Sequence, residues 1–261
     1  MYRHFWLIIL FILSINLCEA GELKIPLGQT FGVAYQYQHL EGKKVTGSTL
    51  YQWVDKGDVK VLIERHRDQK GKVYALGLVE FSPSGLMIRS EHKDQREETQ
   101  VKMTALPKGW NMEVTSRGDW IEQVVQNNNR AVPLPLMGLF FQNQMPRLAK
   151  GELESFYLVV PQIMVMIKQQ GLPDSWSRIK MKVVIDGIRQ VKLGGKKYKA
   201  LKLRFSPADS LMKGLLPPRH QQVRLVIGME KPYPILIYGD GTREYQLKSL
   251  QTISEDLTKN P

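Results

Sequence analysis

Cysteine is nearly absent from this 261-residue chain, and the one that exists, Cys18, falls in its first twenty residues. That stretch, "MYRHFWLIILFILSINLCEA", reads as a secretory signal peptide. It has a basic start at Arg3, an apolar run over 5–17, and a small-residue cleavage site ending at Ala20. The run is shorter than the ~20 apolar residues needed to cross a bilayer. Ile15, Asn16 and Leu17 also lack the small side chains that lipid modification of Cys18 would call for. Cleavage near Ala20 removes the only thiol, which excludes a disulfide framework and cysteine chemistry and leaves stability to an apolar core. The expected compartment is the periplasm.

Catalytic signatures are missing as well. The chain has no His-Glu-x-x-His, no Gly-x-Ser-x-Gly, no phosphate loop and no Gly-x-Gly-x-x-Gly. His39, His66, His92 and His220 show no ligand-like spacing, and the carboxylate pairs Glu97 with Glu98 and Asp119 with Glu122 read as solvated surface. A non-enzymatic protein without metal or cofactor is the expectation. Acidic residues are also in short supply, since the formal net charge is +12. Behind a signal peptide that excess points to anionic envelope material, and no nucleic-acid partner is expected.

What the chain does have is period-two patterning between regularly spaced turn signals such as Glu41-Gly42, Gly57-Asp58, Lys70-Gly71, Ser84-Gly85, Lys108-Gly109 and Arg117-Gly118. In "DVKVLIERH", Val59, Val61 and Ile63 share a face with Lys60 and Glu64 opposite; in "TQVKMTA", Val101, Met103 and Ala105 oppose Lys102 and Thr104. Residues 31–120 therefore read as an antiparallel meander. The segment "KVYALGLVEF" is apolar on both faces and should lie centrally, with its second face covered. Strands are expected again over 155–161, 179–186, 196–206, 222–229, 234–238 and 242–252, the last two joined by an Asp240-Gly241 type I′ turn. A single β-rich domain spans 21–253, its C-terminal strands lying within 154–252, and 254–261 is a polar tail.

Between the two strand-rich parts lies "AVPLPLMGLFFQNQMPRLAKG", residues 131–151, with Pro135 placed as a first-turn proline and Gly151 as a helix terminator. Pro146 should split it into one or two short helices. Its apolar side chains need cover, and the concave face of a curved sheet is the available place. Leu136, Met137, Phe140 and Phe141 are the candidate ligand-binding residues, with the two phenylalanines as a gate. A second candidate surface lies in residues 178–204, which carry ten Lys and Arg against the single Asp186. Alternation puts Ile179, Met181, Val183 and Ile185 inside, so Lys180, Lys182, Lys202 and Arg204 face outward as a candidate anionic-surface binding patch.

Two stretches give the chain a likeness to known proteins. "FGVAYQYQHLEGKKVTGSTLYQW" is an opening strand, glycine turn and return strand. "LGGKKYKALKLRF" with "RLVIGMEKPYPILIYGDGTREYQLKSL" is a strand, a Pro-flanked crossing and a closing hairpin. Together they resemble a family of bacterial secreted β-proteins of unknown function, similar in fold to the periplasmic lipoprotein carriers. Where family members often show a tryptophan before the crossing, this chain has Val226-Ile227-Gly228. The resemblance implies a mainly β fold, a curved antiparallel sheet or incomplete β-barrel with a short helical insert covering its concave face. In the carriers that face shelters acyl chains. The expected function is binding or handling an apolar, acylated ligand near the envelope. The alternatives are an envelope structural or protein-interaction module with a dry core, and an outer-membrane β-barrel.

Overall fold

The computed structural model describes residues 23–126, 131–215, 221–240 and 242–252. The signal peptide, the polar tail, His220 and Gly241 of the expected type I′ turn lie outside them. Eight strands follow one another as hairpins: β1 (Val33–Glu41), β2 (Lys44–Asp55), β3 (Lys60–Asp68), β4 (Val73–Phe81), β5 (Met87–Asp94), β6 (Thr99–Leu106), β7 (Gly109–Ser116) and β8 (Asp119–Gln126). Then come β9 (Ala131–Pro133), helix α1 (Met137–Leu148), β10 (Ser155–Val159), helix α2 (Pro161–Gln169), β11 (Arg178–Leu193), β12 (Lys196–Pro207) and helix α3 (Ser210–Leu215). β13 (Val223–Gly228), β14 (Ile235–Gly239) and β15 (Arg243–Thr252) complete the chain. All fifteen strands form one sheet, in the order β8 to β1, then β15 to β9. β1 joins the halves, pairing with β2 on one side and β15 on the other.

The sheet curls around a core but is not closed by hydrogen bonds, since β8 and β9 are its two ends. Helix α2 packs against β7 and β8, spanning that seam with side chains instead of backbone. Curvature is helped by bulges, which bend a strand and re-aim its side chains. They fall at His39/Leu40, His66/Arg67, Glu80/Phe81, Ile185/Gly187 and Val226/Ile227.

The meander, the glycine turns and the six C-terminal strands stand where the patterning places them, and Val101 and Met103 point inward as read. Two face assignments differ. Leu62, Glu64 and His66 form the concave side of β3, so Glu64 lies inside the barrel and Val61 packs on the opposite face. Period two alone cannot say which of two partly apolar faces is the inner one. Likewise β4 is central, between β3 and β5, but only Tyr74, at a bulge, and Ala75, Gly77, Val79 and Phe81 face the interior. Leu76 on its outer face is 44% exposed, so the insert does not cover that second face.

The insert folds as a short β9, a 3-10 turn over Leu134–Leu136 and the single helix α1. Pro146 does not split it. Two residues from the helix end, its missing N–H removes only one intrahelical bond. Gly151 ends the turn with φ 73°, its N–H donating to the Leu148 carbonyl at 3.0 Å. The helix is stapled rather than loose. Asn143 accepts a hydrogen bond from the Lys24 N–H and donates one to the Lys24 carbonyl, and Gln142 donates to the Tyr233 carbonyl.

Helix α2 is a sequence miss. Its signals, Pro161 at the first turn and Gly171 with φ 63° just beyond the end, match those that betray α1. The patterning ends a strand at Pro161 and assigns no element to the apolar run that follows.

Candidate functional site

One helix, α1, divides the interior in two. Toward β10 to β13 it packs closely. Phe140, Phe141, Phe156 and Phe205 form a cluster with ring centroids 5.2 to 5.6 Å apart, and Met145 and Leu148 are 1% and 0% exposed beside it. Toward β1 to β6 it leaves a cavity of about 590 Å³. That is within the roughly 300–1,000 Å³ of small-molecule sites. Met137, Gly138, Leu139 and Gln142 of α1 form one wall and the concave faces of the meander strands the other.

The cavity has two chemical ends. Trp53, Leu62, Val79 and Ile235 line an apolar end. At the other end three imidazoles converge, His39 from β1, His66 from β3 and His92 from β5. Ring centroids are 5.8 Å apart for His39 and His66 and 6.2 Å for His66 and His92. Each ring has room because the strands between them are bare at this level. His39 stands opposite Gly47, His92 opposite Gly77, and His66 between Thr49 and Ala75. A Cβ on Gly77 would lie 3.0 Å from Glu64 Oε2 and 3.3 Å from His92 Nδ1, and one on Gly47 2.4 Å from the Arg67 carbonyl and 3.0 Å from His39 Nδ1.

A chain of hydrogen bonds runs through these groups. Tyr51 donates to Glu64 Oε1 at 2.6 Å, the same oxygen faces His66 Nε2, and His66 Nδ1 lies 2.8 Å from Thr49 Oγ1. Thr49 Oγ1 is in turn 2.6 Å from His39 Nε2. Two assignments satisfy every partner. In one, a doubly protonated His66 donates to Glu64 and to Thr49, and the Thr49 hydroxyl donates to a neutral His39; in the other, a neutral His66 donates to Glu64 and accepts from Thr49, which accepts from His39 Nε2. The electrostatics support the first. Burial disfavours the Glu64 carboxylate, but the His66 imidazolium and its hydrogen bond outweigh that and hold the carboxyl well below its usual range. Burial also opposes the charge on His66, and Glu64 overcomes it, leaving that pKa raised. His39 is pushed down to about 4 by burial, then by His66 and Arg96. Burial likewise lowers His92, whose Nδ1 has no hydrogen-bond partner.

Glu64, His66 and Thr49 follow the order of an acid, base and nucleophile. Yet Thr49 is 1% exposed and does not line the cavity, so its hydroxyl cannot reach a bound molecule. The chain fixes ring orientations. Among the described residues no three His, Cys, Asp or Glu side chains are arranged to hold a metal ion.

Of the candidate ligand-binding residues, Met137 lines the cavity. Leu136, Phe140 and Phe141 are buried away from its lining, and both phenylalanines sit in the dry aromatic cluster, so they form no gate. Met137 and Phe141, four residues apart, share a face of α1, so the two sets differ by level along the helix: the cavity takes positions 137, 138, 139 and 142 near its N-terminal end, and the aromatic cluster and its neighbours take 140, 141, 145 and 148. The histidine cluster is the residue set that sequence spacing did not yield. Its signal is an interval of 27 and then 26 residues from His39 to His66 to His92, two strand-and-turn lengths of the meander, which returns the chain to one level on alternate strands.

In the basic patch, Lys180 and Lys182 are exposed and alternate with buried Ile179, Met181 and Val183. Lys202 is half-buried, and Arg204 holds both Asp186 oxygens through its Nε at 3.0 and 2.9 Å. Ile185 does not point into the core. A bulge follows it, and it is 39% exposed.

No protein-family profile matches the sequence, and no curated protein matches it. Among the solved structures that resemble it are two from Bacteroidetes. One is a protein described as exported, with a YmcC-like fold, from Bacteroides fragilis, 7% identical over 87% of this chain and 99% of that one, TM-score 0.34. The other is a protein described as a lipoprotein from Parabacteroides distasonis, 9% identical over 85% of this chain and 96% of that one, TM-score 0.28.

Proposed function

We propose that this is a periplasmic, non-enzymatic protein that binds an amphipathic ligand, apolar or acylated at one end, between its meander and helix α1. The observation that carries this reading is the cavity itself. It joins a wall of Trp53, Leu62 and Val79 to a polar end whose hydrogen-bonding groups are already held in fixed orientation. Preorganised polar groups at one end of an apolar pocket are what orient an amphiphile. A dry structural module would leave no such space.

The outer surface supports a water-exposed protein. Glu91, Lys102, Glu113 and Glu122 stand side by side across β5 to β8, where a membrane-spanning barrel carries an apolar band. Among the described residues no helix is long and apolar enough to cross a membrane. The exposed Lys180 and Lys182 would bring the protein to anionic lipid surfaces.

Native mass spectrometry of protein purified from the cell envelope, together with Trp53 fluorescence during titration with N-phenyl-1-naphthylamine, tests the binding. Co-purifying lipid, or saturable quenching that Trp53→Phe abolishes, is expected. Neither lipid nor a fluorescence response would refute the reading.

A further inference from the structure

The protein is strongly basic, at +12, yet its cavity is acidic. Glu41, Glu64, Asp94, Glu97 and Asp240 border the space against two guanidinium groups, those of Arg96 and Arg243. Both arginines are engaged with acids, Arg243 3.3 Å from Glu41 and Arg96 3.8 Å from Asp68. The His66 ring is paired with Glu64.

The same end is walled by π faces. Tyr238 and Tyr245 have centroids 5.9 Å apart, Tyr245 lies 4.4 Å from the His39 ring, and Tyr74 lies 5.8 Å from the His66 ring. Faces of aromatic rings carry negative partial charge and attract cations, most strongly where water is excluded. One ring already holds such a guest from the chain itself. The Arg96 guanidinium carbon sits 3.6 Å from the centroid of Tyr74.

We propose that the cavity is a binding site for an organic cation on an apolar body, with an alkylammonium or quaternary ammonium head among Tyr74, Tyr238 and Tyr245 and its tail over Trp53 and Leu62. This rests on the amphiphile reading above and adds the sign of the head group. A carboxylate or phosphate head would meet an excess of like charge. The two electrostatic surfaces of the molecule thus have opposite tasks. The outer face approaches anions, and the interior accepts a cation.

The test uses one tail and three heads. Octyltrimethylammonium, octyl glucoside and octanoate, each below its micellar concentration, are titrated into the full exported protein by calorimetry. The ammonium compound is expected to bind about tenfold more tightly than the glucoside, with octanoate weakest. In Tyr245→Leu, and in the milder Asp94→Asn, the ratio of ammonium to glucoside affinity falls toward one. Equal affinity for all three, or preference for octanoate, overturns the cation assignment and leaves amphiphile binding standing. Failure of all three to bind removes both.

Discussion

The two sides of helix α1 are a controlled contrast, because the same twelve residues build a dry core on one side and a cavity on the other. Under β10 to β13 the facing residues are Phe156 and Phe205, which interlock with Phe140 and Phe141. Under β1 to β5 the sheet presents Gly47, Gly77 and Ala75 opposite the imidazoles, and the helix answers with Gly138 and Met137. The difference teaches that space is made here by pairing large polar rings with missing side chains, while the neighbouring half of the same core fills completely.

The largest expected effect breaks the dry side. Phe141→Ala should cost about 3–5 kcal/mol in urea unfolding, because a fully buried ring leaves a void among rigid neighbours. Met137→Ala, whose side chain borders space already empty, should cost about 1–2 kcal/mol, since little new void is created. Equal costs would show that the helix does not divide the interior as described.

On the cavity side, Glu64→Gln removes the charge that balances His66. A loss of about 1.5–3 kcal/mol is expected, as for a hydrogen bond to a charged group. The His66 pKa should fall in an NMR titration, because the burial that already opposes its charge is then uncompensated. An unchanged His66 titration would refute the proposed protonation chain.

The pH response sharpens the contrast further. His39, at about 4 when folded against about 6.5 unfolded, takes up its proton first in the unfolded chain. Its contribution is therefore full above about pH 6.5 and lost as pH falls toward 4, and buried His92 acts in the same direction. His66, with its raised pKa, does the opposite. Its contribution is complete below about 6.5 and lost as pH rises through its folded value. His39→Gln should flatten the acid limb of stability measured by urea unfolding between pH 6.5 and 4.

The smallest effect on stability is expected far from both sides. Lys180→Glu with Lys182→Glu should change unfolding by under about 0.5 kcal/mol. The same pair should abolish salt-sensitive association with anionic vesicles, measured by co-sedimentation. Association that persists in the variant would detach this face from membrane docking.

Much of the fold was legible. Val101 and Met103 alternate with Lys102 because one face of an antiparallel sheet is wet, and Gly151 ends a helix because its φ of 73° suits no other residue as well. What escaped was whatever depends on the inner face of a strand or on register. Glu64 looks like a surface carboxylate until β3 is seen to turn Leu62, Glu64 and His66 inward together. The phenylalanines were read as ligand contacts because hydrophobicity along a helix does not say which neighbour it meets. The three histidines were legible only as an interval, and an interval becomes a cluster only when each intervening turn is known to keep the chain at one level.

The seam between β8 and β9 bears on how a guest gets in. The girth of a barrel closed by backbone hydrogen bonds is set by strand number and stagger, and it cannot swell without breaking the ladder. Here the perimeter is fastened by apolar side chains of α2 against β7 and β8, which can slide on one another while every ladder stays intact. The girth of the interior is therefore not fixed by a closed ladder, as a coat fitted with a sash adjusts where a stitched one cannot.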